Sequence, residues 1–347
     1  MPNRLNIIHY LHMKTMIYLL LIALMAARCK ENTTAGATDY PVANGTFIQD
    51  NLVQNWDDAK WQQELNALKE VKMTYIVFYA TFGNRAFYAS HLPGFSSNYD
   101  KDLLDMCLRN AEKAGMKVFI GLNFHEDWWG NYPASWLYDQ MEIGNQIATE
   151  IKNKYADKYK NAFYGWYWIW EVDNLNYTTQ SRQDMLAEAL NKNLDHLHAL
   201  TPAMPVMLCP FMNYRVGSAS EYSKMWTYVF SKTRFAAGDI FAPQDCIGSE
   251  GLKIEMLDSW FSHLSKAVST KKGLVFWSDA ETFVQSNWSS APVDRFIEQM
   301  KIVQPYVSGI ITFAYSHYYS PVSVSGSYHS QYLQYVKTGK LNSQKKN

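Results

Sequence analysis

Eight short apolar runs alternate with amphipathic segments along most of the chain, and this alternation restricts the fold more than any other feature. The runs predict strands at residues 45–49, 74–79, 117–122, 162–170, 205–209, 239–242, 274–277 and 309–314. The intervening segments carry apolar residues at helical spacing. Repeated strand-then-helix units favour a parallel sheet, and eight of them favour closure. The 347 residues therefore predict an α/β protein with one (β/α)8 TIM barrel.

The N-terminus predicts an export signal over residues 1–29. An apolar run at residues 16–27 follows Lys14 and is shorter than the roughly 20 residues that span a bilayer. Cys29 follows this run as in bacterial lipoprotein signals, although Arg28 stands where those signals have a small residue. We expect a periplasmic or cell-surface (outer-membrane) lipoprotein of a bacterium, with membrane contact only through a lipid on Cys29. Residues 30–43 predict a tether, 44–340 the barrel and 341–347 a frayed tail.

Composition narrows the class of ligand. Lys and Arg together equal Asp and Glu at 32 each, so no basic field would attract nucleic acid. The 12 Trp and 24 Tyr exceed what core packing requires and suit a cleft that binds sugar rings. The four cysteines are far apart and contain no Cys-x-x-Cys pair, which argues against zinc. We expect neither a cofactor nor a metal, and the oligomeric state stays open.

Polar residues collect directly after the predicted strands, where barrel enzymes place their active sites. Glu171 and Glu281 end the fourth and seventh apolar runs and are the predicted catalytic pair. The predicted substrate-binding residues share strand-end or aromatic-loop positions and are Tyr79, Asn123, His125, Trp128, Trp168, Asp173, Asn213, Gln244, Asp245, Trp277, Asp279 and Tyr315. Trp129 is a further candidate for stacking, and His317 for orienting hydroxyl groups.

Two carboxyl groups on opposite sides of a barrel suit the cleavage of a glycosidic bond. The indoles of Trp168 and Trp170 would desolvate Glu171 and raise its pKa, as a general acid requires. Glu281 would then be the ionised nucleophile. Asp173 and Asp279 are rivals, because each lies two residues from its Glu and an extended strand would point both the same way. An alternative for either Glu is a simple ion pair at the barrel rim.

A set of short motifs resembles a known bacterial family. The motifs are residues 45–49 (GTFIQ), 115–122 (GMKVFIGL), 163–167 (FYGWY) with Glu171, 243–245 (PQD), and Trp277 with Glu281. Together they are similar, over residues 43–320, to domain-of-unknown-function family 4434. The resemblance implies a (β/α)8 barrel similar to glycoside hydrolases. The two Glu positions also resemble the large retaining glycosidase clan, in which Asn precedes the acid/base Glu; here that residue is Trp170.

The sequence predicts an exported glycoside hydrolase that acts on oligo- or polysaccharide by a two-carboxylate, retaining mechanism. A non-catalytic carbohydrate-binding barrel on the cell surface is the main alternative, since it would use the same aromatic residues without an acid pair. A metal-dependent hydrolase using His125, Glu126 and Asp245 is a third possibility. No Gly-x-Ser-x-Gly, phosphate loop or Gly-x-Gly-x-x-Gly motif supports serine hydrolase or nucleotide chemistry.

Overall fold

The computed structural model describes residues 39–97, 99–130 and 132–341. The predicted signal segment, most of the predicted tether and nearly all of the predicted tail lie outside these residues. The described residues from Pro41 onwards belong to one compact unit. None of the helices in the described residues combines the length and the apolar character needed to cross a bilayer.

Eight parallel strands close into a barrel, which confirms the predicted fold. Each strand pairs with its neighbours in sequence, and the first pairs with the last through Gly45 and Ile311. In chain order the strands are β1 (Gly45–Ile48), β2 (Tyr75–Tyr79), β3 (Lys117–Gly121), β4 (Phe163–Trp168), β5 (Val206–Leu208), β6 (Ile240–Phe241), β7 (Val275–Glu281) and β8 (Gly309–Phe313). Strand β7 extends beyond the predicted residues 274–277, and Glu281 is its last residue.

Helices follow the strands and bury their apolar stripes against the barrel. They are α1 (Asp58–Glu70), α2 (Leu103–Ala114), α3 (Ala134–Tyr155), α4 (Gln180–Leu200), α5 (Ala219–Lys232), α6 (Leu257–Ser269), α7 (Val293–Val303) and α8 (Gly326–Thr338). Their ends follow local sequence signals. Ser218 and Glu221 form a capping box at the start of α5, and Gly115 ends α2 in the left-handed conformation with φ 69°.

Short helices and strands lie at the C-terminal end of the barrel, in the loops that follow the barrel strands. Two antiparallel segments, Phe283–Val284 and Ser289–Ser290, form a hairpin after β7. A small sheet of Thr81–Phe82, Arg85–Ala86 and Ser96–Ser97 follows β2. Single turns of helix lie at Asp50–Val53, Glu126–Trp129, Ile254–Met256 and Tyr315–Tyr318. Several of these elements line an open cavity at this end of the barrel.

Candidate active site

An open cavity of about 460 Å³ lies at the C-terminal end of the barrel. Its walls come from the ends of seven strands or the loops directly after them, namely Gln49, Tyr79, Tyr167, Glu171, Phe211, Gln244, Asp279, Glu281 and Phe313. Four rings form its apolar floor. Phe47 lies 5.3 Å from Tyr167 and 5.5 Å from Phe313 between ring centres, and Tyr79 stacks on Tyr167. The rings close off the barrel interior, so ligand access is from the loop side.

Glu171 reaches this cavity from a turn that begins where β4 ends. The indole Nε1 of Trp128 donates a hydrogen bond of 3.0 Å to the backbone oxygen of Glu171, which holds the turn in place. The Glu171 side chain is partly exposed to the cavity and surrounded by protein elsewhere. Burial raises the pKa of Glu171 to about 7, and the charge of Asp173 adds to the increase, while a hydrogen bond from Gln244 opposes it. Glu171 can therefore carry a transferable proton near neutral pH.

Glu281 enters the same cavity from the end of β7. Its Oε2 accepts a hydrogen bond of 2.7 Å from the backbone N–H of Ser249. Gly248 allows this approach, because a Cβ at that position would lie 2.5 Å from the Phe283 oxygen and 3.0 Å from the Glu281 carboxyl. Burial and the neighbouring charge of Asp245 raise the pKa of Glu281 to about 8. This differs from the sequence-based expectation of an ionised Glu281.

Asp245 lies beneath Glu281 and does not line the cavity. Its Oδ1 accepts hydrogen bonds of 3.2 Å from the backbone N–H groups of Ile247 and Glu281, and its Oδ2 accepts one of 2.5 Å from Gln299. Burial raises its pKa to about 6, while the hydrogen bond from Gln299 lowers it. Asp245 therefore ties the end of β7 to the β6 loop and to α7, instead of contacting a ligand.

Asp279 points into the cavity from the same face of β7 as Glu281. Its Oδ1 is buried and has no hydrogen-bond partner among the described residues. Burial and the charge of Glu281 raise the pKa of Asp279 well above its ordinary value, which favours the protonated form. The other rival, Asp173, accepts hydrogen bonds from the backbone of Leu175 and Asn176 and does not line this cavity.

A family comparison identifies the chain. Residues 43–325 match the model of the family described as "Domain of unknown function (DUF4434)". The chain belongs to the DUF4434 family. This confirms the resemblance expected from the motifs. None of the curated proteins matches the chain.

Solved structures share the barrel of this DUF4434 protein. A Bacteroides thetaiotaomicron protein, provisionally described as an alpha-L-fucosidase, superposes with a TM-score of 0.73 at 22% identity, covering 88% of this chain and 97% of that one. An endo-beta-1,4-mannanase from Thermotoga petrophila has a TM-score of 0.54 at 12% identity and coverages of 89% and 79%. The endo-1,4-beta-mannanase of Rhizomucor miehei has a TM-score of 0.55 at 12% identity, with coverages of 81% and 87%. At these identities the likeness establishes the fold.

Four aromatic residues predicted to bind substrate lie away from the cavity of the DUF4434 barrel. Strand alternation turns Tyr167 inward and Trp168 outward, where its Nε1 donates to Asn193 of α4 at 3.0 Å. Trp277 lies inside the barrel below the floor, 5.3 Å from the ring of Tyr75. The other two are also buried: Trp128 packs between Tyr132 and Trp170, and Tyr315 hydrogen-bonds His329.

Three polar residues predicted to bind substrate stabilise loops instead. Asn123 donates to the backbone and side-chain oxygens of Gln140 at 3.1 and 3.0 Å. The Nδ1 atom of His125 accepts from the backbone of Asp127 at 3.2 Å, and Oδ1 of Asn213 accepts from the backbone of Arg215 at 3.0 Å. Within the described residues, no group of three His, Cys, Asp or Glu side chains is arranged to hold a metal ion. The predicted residues that do meet in the cavity are Tyr79, Glu171, Gln244, Asp279 and Glu281, together with the further candidate His317.

Several cavity residues of this DUF4434 protein are absent from the predicted set. They come mainly from loops and are Gln49, Asn51, Tyr167, Phe211, Ser249, Phe283, Gln285 and Trp288. Gln49 follows β1 directly, so the strand-end rule that selected Tyr79 would also have selected it. His317 accepts a hydrogen bond of 3.1 Å on Nε2 from the backbone of Gln49, and burial lowers its pKa to about 4. Neutral His317 therefore carries its hydrogen on Nδ1.

A second cavity of about 230 Å³ continues the first one. Both cavities are lined by Gln49, Tyr79, Tyr167, Glu171 and Phe313. The second adds residues from the loops after β2, β3 and β4, namely Phe82, Phe124, Glu126, Trp129 and Ile169. The two cavities form one cleft, and Glu171 lies where they join.

Proposed function

We propose that this DUF4434 protein is a glycoside hydrolase that cleaves O-glycosyl bonds of oligo- or polysaccharides. The observation that carries the proposal is that Glu171 and Glu281, from β4 and β7 on opposite sides of the barrel, line one cavity. The solved structures described as mannanases use the same barrel, which supports the proposal at the level of the fold. Glycosidic cleavage requires a proton donor and a second carboxylate that reach one bond.

In the proposed reaction, protonated Glu171 donates its proton to the leaving glycosidic oxygen as that bond to the anomeric carbon breaks. Ionised Glu281 attacks the same carbon and forms a glycosyl ester. Glu171, now ionised, removes a proton from a water molecule, whose oxygen displaces Glu281 and releases the sugar. Two inversions at one carbon give net retention of configuration.

The protonation states restrict when this reaction can proceed. The reactive form has a proton on Glu171 and none on Glu281, and burial raises the pKa of Glu171 to about 7 and that of Glu281 to about 8. The reaction therefore requires the enzyme to be singly protonated at this pair. Positive charge developing on the sugar in the transition state would favour ionised Glu281.

Screening a glycan panel with wild type and with Glu171→Gln and Glu281→Gln tests the proposal. We expect each substitution to lower kcat on the natural glycan by about a hundredfold to ten-thousandfold. Aryl glycosides with an acidic leaving group should restore activity to Glu171→Gln and not to Glu281→Gln, because such groups leave without protonation. The initial product anomer, read by NMR, should retain the substrate configuration.

Glu298→Gln is the matched control, because Glu298 is exposed on α7 away from the cleft. A non-catalytic binding barrel would be indicated by two results together. Glu171→Gln and Glu281→Gln would both still bind glycan, and wild type would hydrolyse none of the glycans. Inverted product would reject Glu281 as the nucleophile.

We also propose that the chain is exported and anchored through Cys29, on the basis of the apolar run at residues 16–27. Cell fractionation of the full-length protein in a bacterial host should place it in the envelope. Cys29→Ser should release it into soluble periplasmic material, and deletion of residues 1–29 should leave it in the cytoplasm. A full-length protein recovered from the cytoplasm would contradict this proposal.

A further inference from the structure

Two exposed indoles mark the two ends of the cleft. Trp288 and Trp129 are 58% and 57% exposed, and they are the only exposed tryptophans among the described residues. Trp288 lines the larger cavity, and Trp129 lines the smaller one. Indole side chains are usually stabilised by burial, and these two are exposed to solvent. Two exposed indoles on one cleft therefore indicate a ligand that covers them.

The first indole belongs to a ring cluster on the Glu281 side, here called the Trp288 platform (Phe283, Trp288 and Tyr318). Trp288 stacks on Phe283 with ring centres 5.2 Å apart and an angle of 18° between the planes. Phe283 also contacts Tyr318 at 5.7 Å. Trp288 adopts φ 52°, a left-handed conformation that bulky residues rarely occupy. The hairpin after β7 therefore holds this indole at a conformational cost, as functional sites often do.

The second cluster lies on the other side of Glu171 and is here called the Trp129 platform (Phe82, Phe124 and Trp129). Ring centres are 6.1 Å apart between Trp129 and Phe124, and 5.5 Å apart between Phe124 and Phe82. Glu171 lines both cavities, whereas Glu281 lines only the larger one. The acid pair thus lies between the two platforms along the cleft.

Between the platforms the polar lining is uncharged apart from carboxyl groups. It includes the amides of Gln49, Asn51, Gln244 and Gln285 and the neutral ring of His317. None of the described residues that line the two cavities is Lys or Arg. A lining without cations offers an anionic ligand no ion pair, while amides and aromatic faces suit hydroxyl-bearing rings.

We infer that the cleft binds a linear, uncharged glycan across the acid pair, with sugar rings on the Trp288 platform and on the Trp129 platform. This inference rests on the proposed function for its substrate class and adds two features, internal cleavage of a chain and rejection of uronate or sulfated glycans. A chain held on both sides of the scissile bond is cut internally and yields oligosaccharides.

A binding experiment tests the inference independently of catalysis. Glu171→Gln protein, which should leave glycans uncut, is applied to immobilised cello-, manno-, xylo-, chito- and malto-oligosaccharides of two to six units, and to polygalacturonate, alginate and heparan sulfate. At least one neutral hexasaccharide should bind about tenfold more tightly than its disaccharide, with no binding to the anionic chains.

Trp288→Ala and Trp129→Ala, each in the same background, should weaken hexasaccharide binding by about tenfold. Trp288→Phe should recover part of the loss, because a ring remains. Leu175→Ala is the control, since Leu175 is exposed outside the cleft, and it should bind as the parent does. Circular dichroism would verify that each variant is folded.

Any of four results would overturn the inference. They are equal affinity for di- and hexasaccharides, a preference for anionic chains, no binding of any glycan, and unchanged binding in both Trp→Ala variants. Binding without hydrolysis by wild type would reject the proposed enzyme and internal cleavage, and would keep the binding of a neutral glycan across the two platforms. Hydrolysis that releases only single terminal sugars would reject the inference and keep the proposed enzyme.

Discussion

Burial raises the pKa values of the four acids around the cleft, and neighbouring groups oppose or add to that effect. Asp245 receives two backbone N–H groups and the Gln299 amide, which oppose the effect of its burial. Asp279 has a buried oxygen without a partner among the described residues, and burial raises its pKa well above the ordinary value. Burial also raises the pKa of Glu171 to about 7 and that of Glu281 to about 8. The contacts of each carboxyl, more than its residue type, determine what it can do in a reaction.

Asp279→Asn distinguishes Asp279 from Glu281 as the second reacting carboxyl. The raised pKa of Asp279 favours its neutral form, which resembles Asn in shape and charge, so we expect kcat/KM on a cleaved glycan to fall by less than about tenfold. Glu281→Gln should lower it by about a thousandfold or more, because the nucleophile is lost. Steady-state kinetics at one pH provide the measurement. A larger loss in Asp279→Asn than in Glu281→Gln would transfer the nucleophile role to Asp279.

Glu64 on α1 should destabilise the fold at high pH. It is fully buried, accepts a hydrogen bond from Ser320, and has an Oε1 without a partner among the described residues. Burial raises its pKa to about 7. The stability from its bound proton is fully present below the ordinary carboxyl pKa and is lost as pH rises through about 7.

Glu64→Gln should therefore raise the free energy of unfolding at pH 8 by about 1 to 3 kcal/mol relative to wild type, and by less at pH 5. Urea denaturation at both pH values measures the difference. The exposed Glu298→Gln controls for the amide substitution itself. Equal stability of Glu64→Gln and wild type at pH 8 would show that the buried carboxylate costs nothing.

At the scale of elements, strand β7 connects the core to the site. It pairs with β8 from Trp277–Gly309 to Glu281–Phe313. The backbone N–H of Glu281 is held by Asp245, and its oxygen accepts from Arg295 and Gln299 of α7. The strand thus continues to Glu281, beyond the strand predicted at residues 274–277. Contacts from the β6 loop and α7 set the position of this carboxyl.

Gly309 of β8 makes room for the indole of Trp277 inside the barrel. A Cβ at position 309 would lie 2.6 Å from Nε1 of Trp277. Gly309→Ala should therefore lower the free energy of unfolding by about 1 to 3 kcal/mol through overpacking. Gly326→Ala at the start of α8 is the matched control, because its Cβ would meet only Pro321 at 3.9 Å. Urea denaturation of both variants checks the prediction, and an equal effect in the two would refute the packing argument.

At the scale of the whole molecule, barrel closure brings the chain's separated acids together. Glu171 and Glu281 are 110 positions apart in the sequence and line one cavity, which no local segment could form. The same closure removes water from both carboxyls, and their raised pKa values follow from this burial. The protonation of the pair is thus a property of the complete fold.

The dependence of kcat/KM on pH should reflect the raised pKa values of Glu171 and Glu281. We expect a bell-shaped profile with limbs near the two values of about 7 and 8 and a maximum at about pH 7.5. Activity falls at low pH because Glu281 is protonated, and at high pH because Glu171 loses its proton. Circular dichroism across the same range separates titration from unfolding. A maximum below about pH 6 would contradict the raised pKa values.

The sequence predicted only some of the strand-end residues that line the cleft. The rule that barrel sites lie after the strands selected Tyr79, Gln244 and Asp279, which do line the cavity. It failed for Trp168 because strand alternation turns that side chain outward toward α4. It also missed Trp288, whose position depends on a hairpin that folds back over the cavity. Sequence position indicates the end of a strand but not the course of the following loop.

The sequence by itself determined the eight strand–helix units, the closed barrel and the end of it that carries polar groups. These properties follow from hydrophobic periodicity and helix caps, which act over a few neighbouring residues. The tertiary structure alone decided that Asp245 supports Glu281 from below, that Glu281 has a raised pKa, and that Trp129 and Trp288 lie at opposite ends of one cleft. The burial of a side chain, the charges around it and the path of a loop depend on groups from several strands at once. Those groups meet only when the barrel closes.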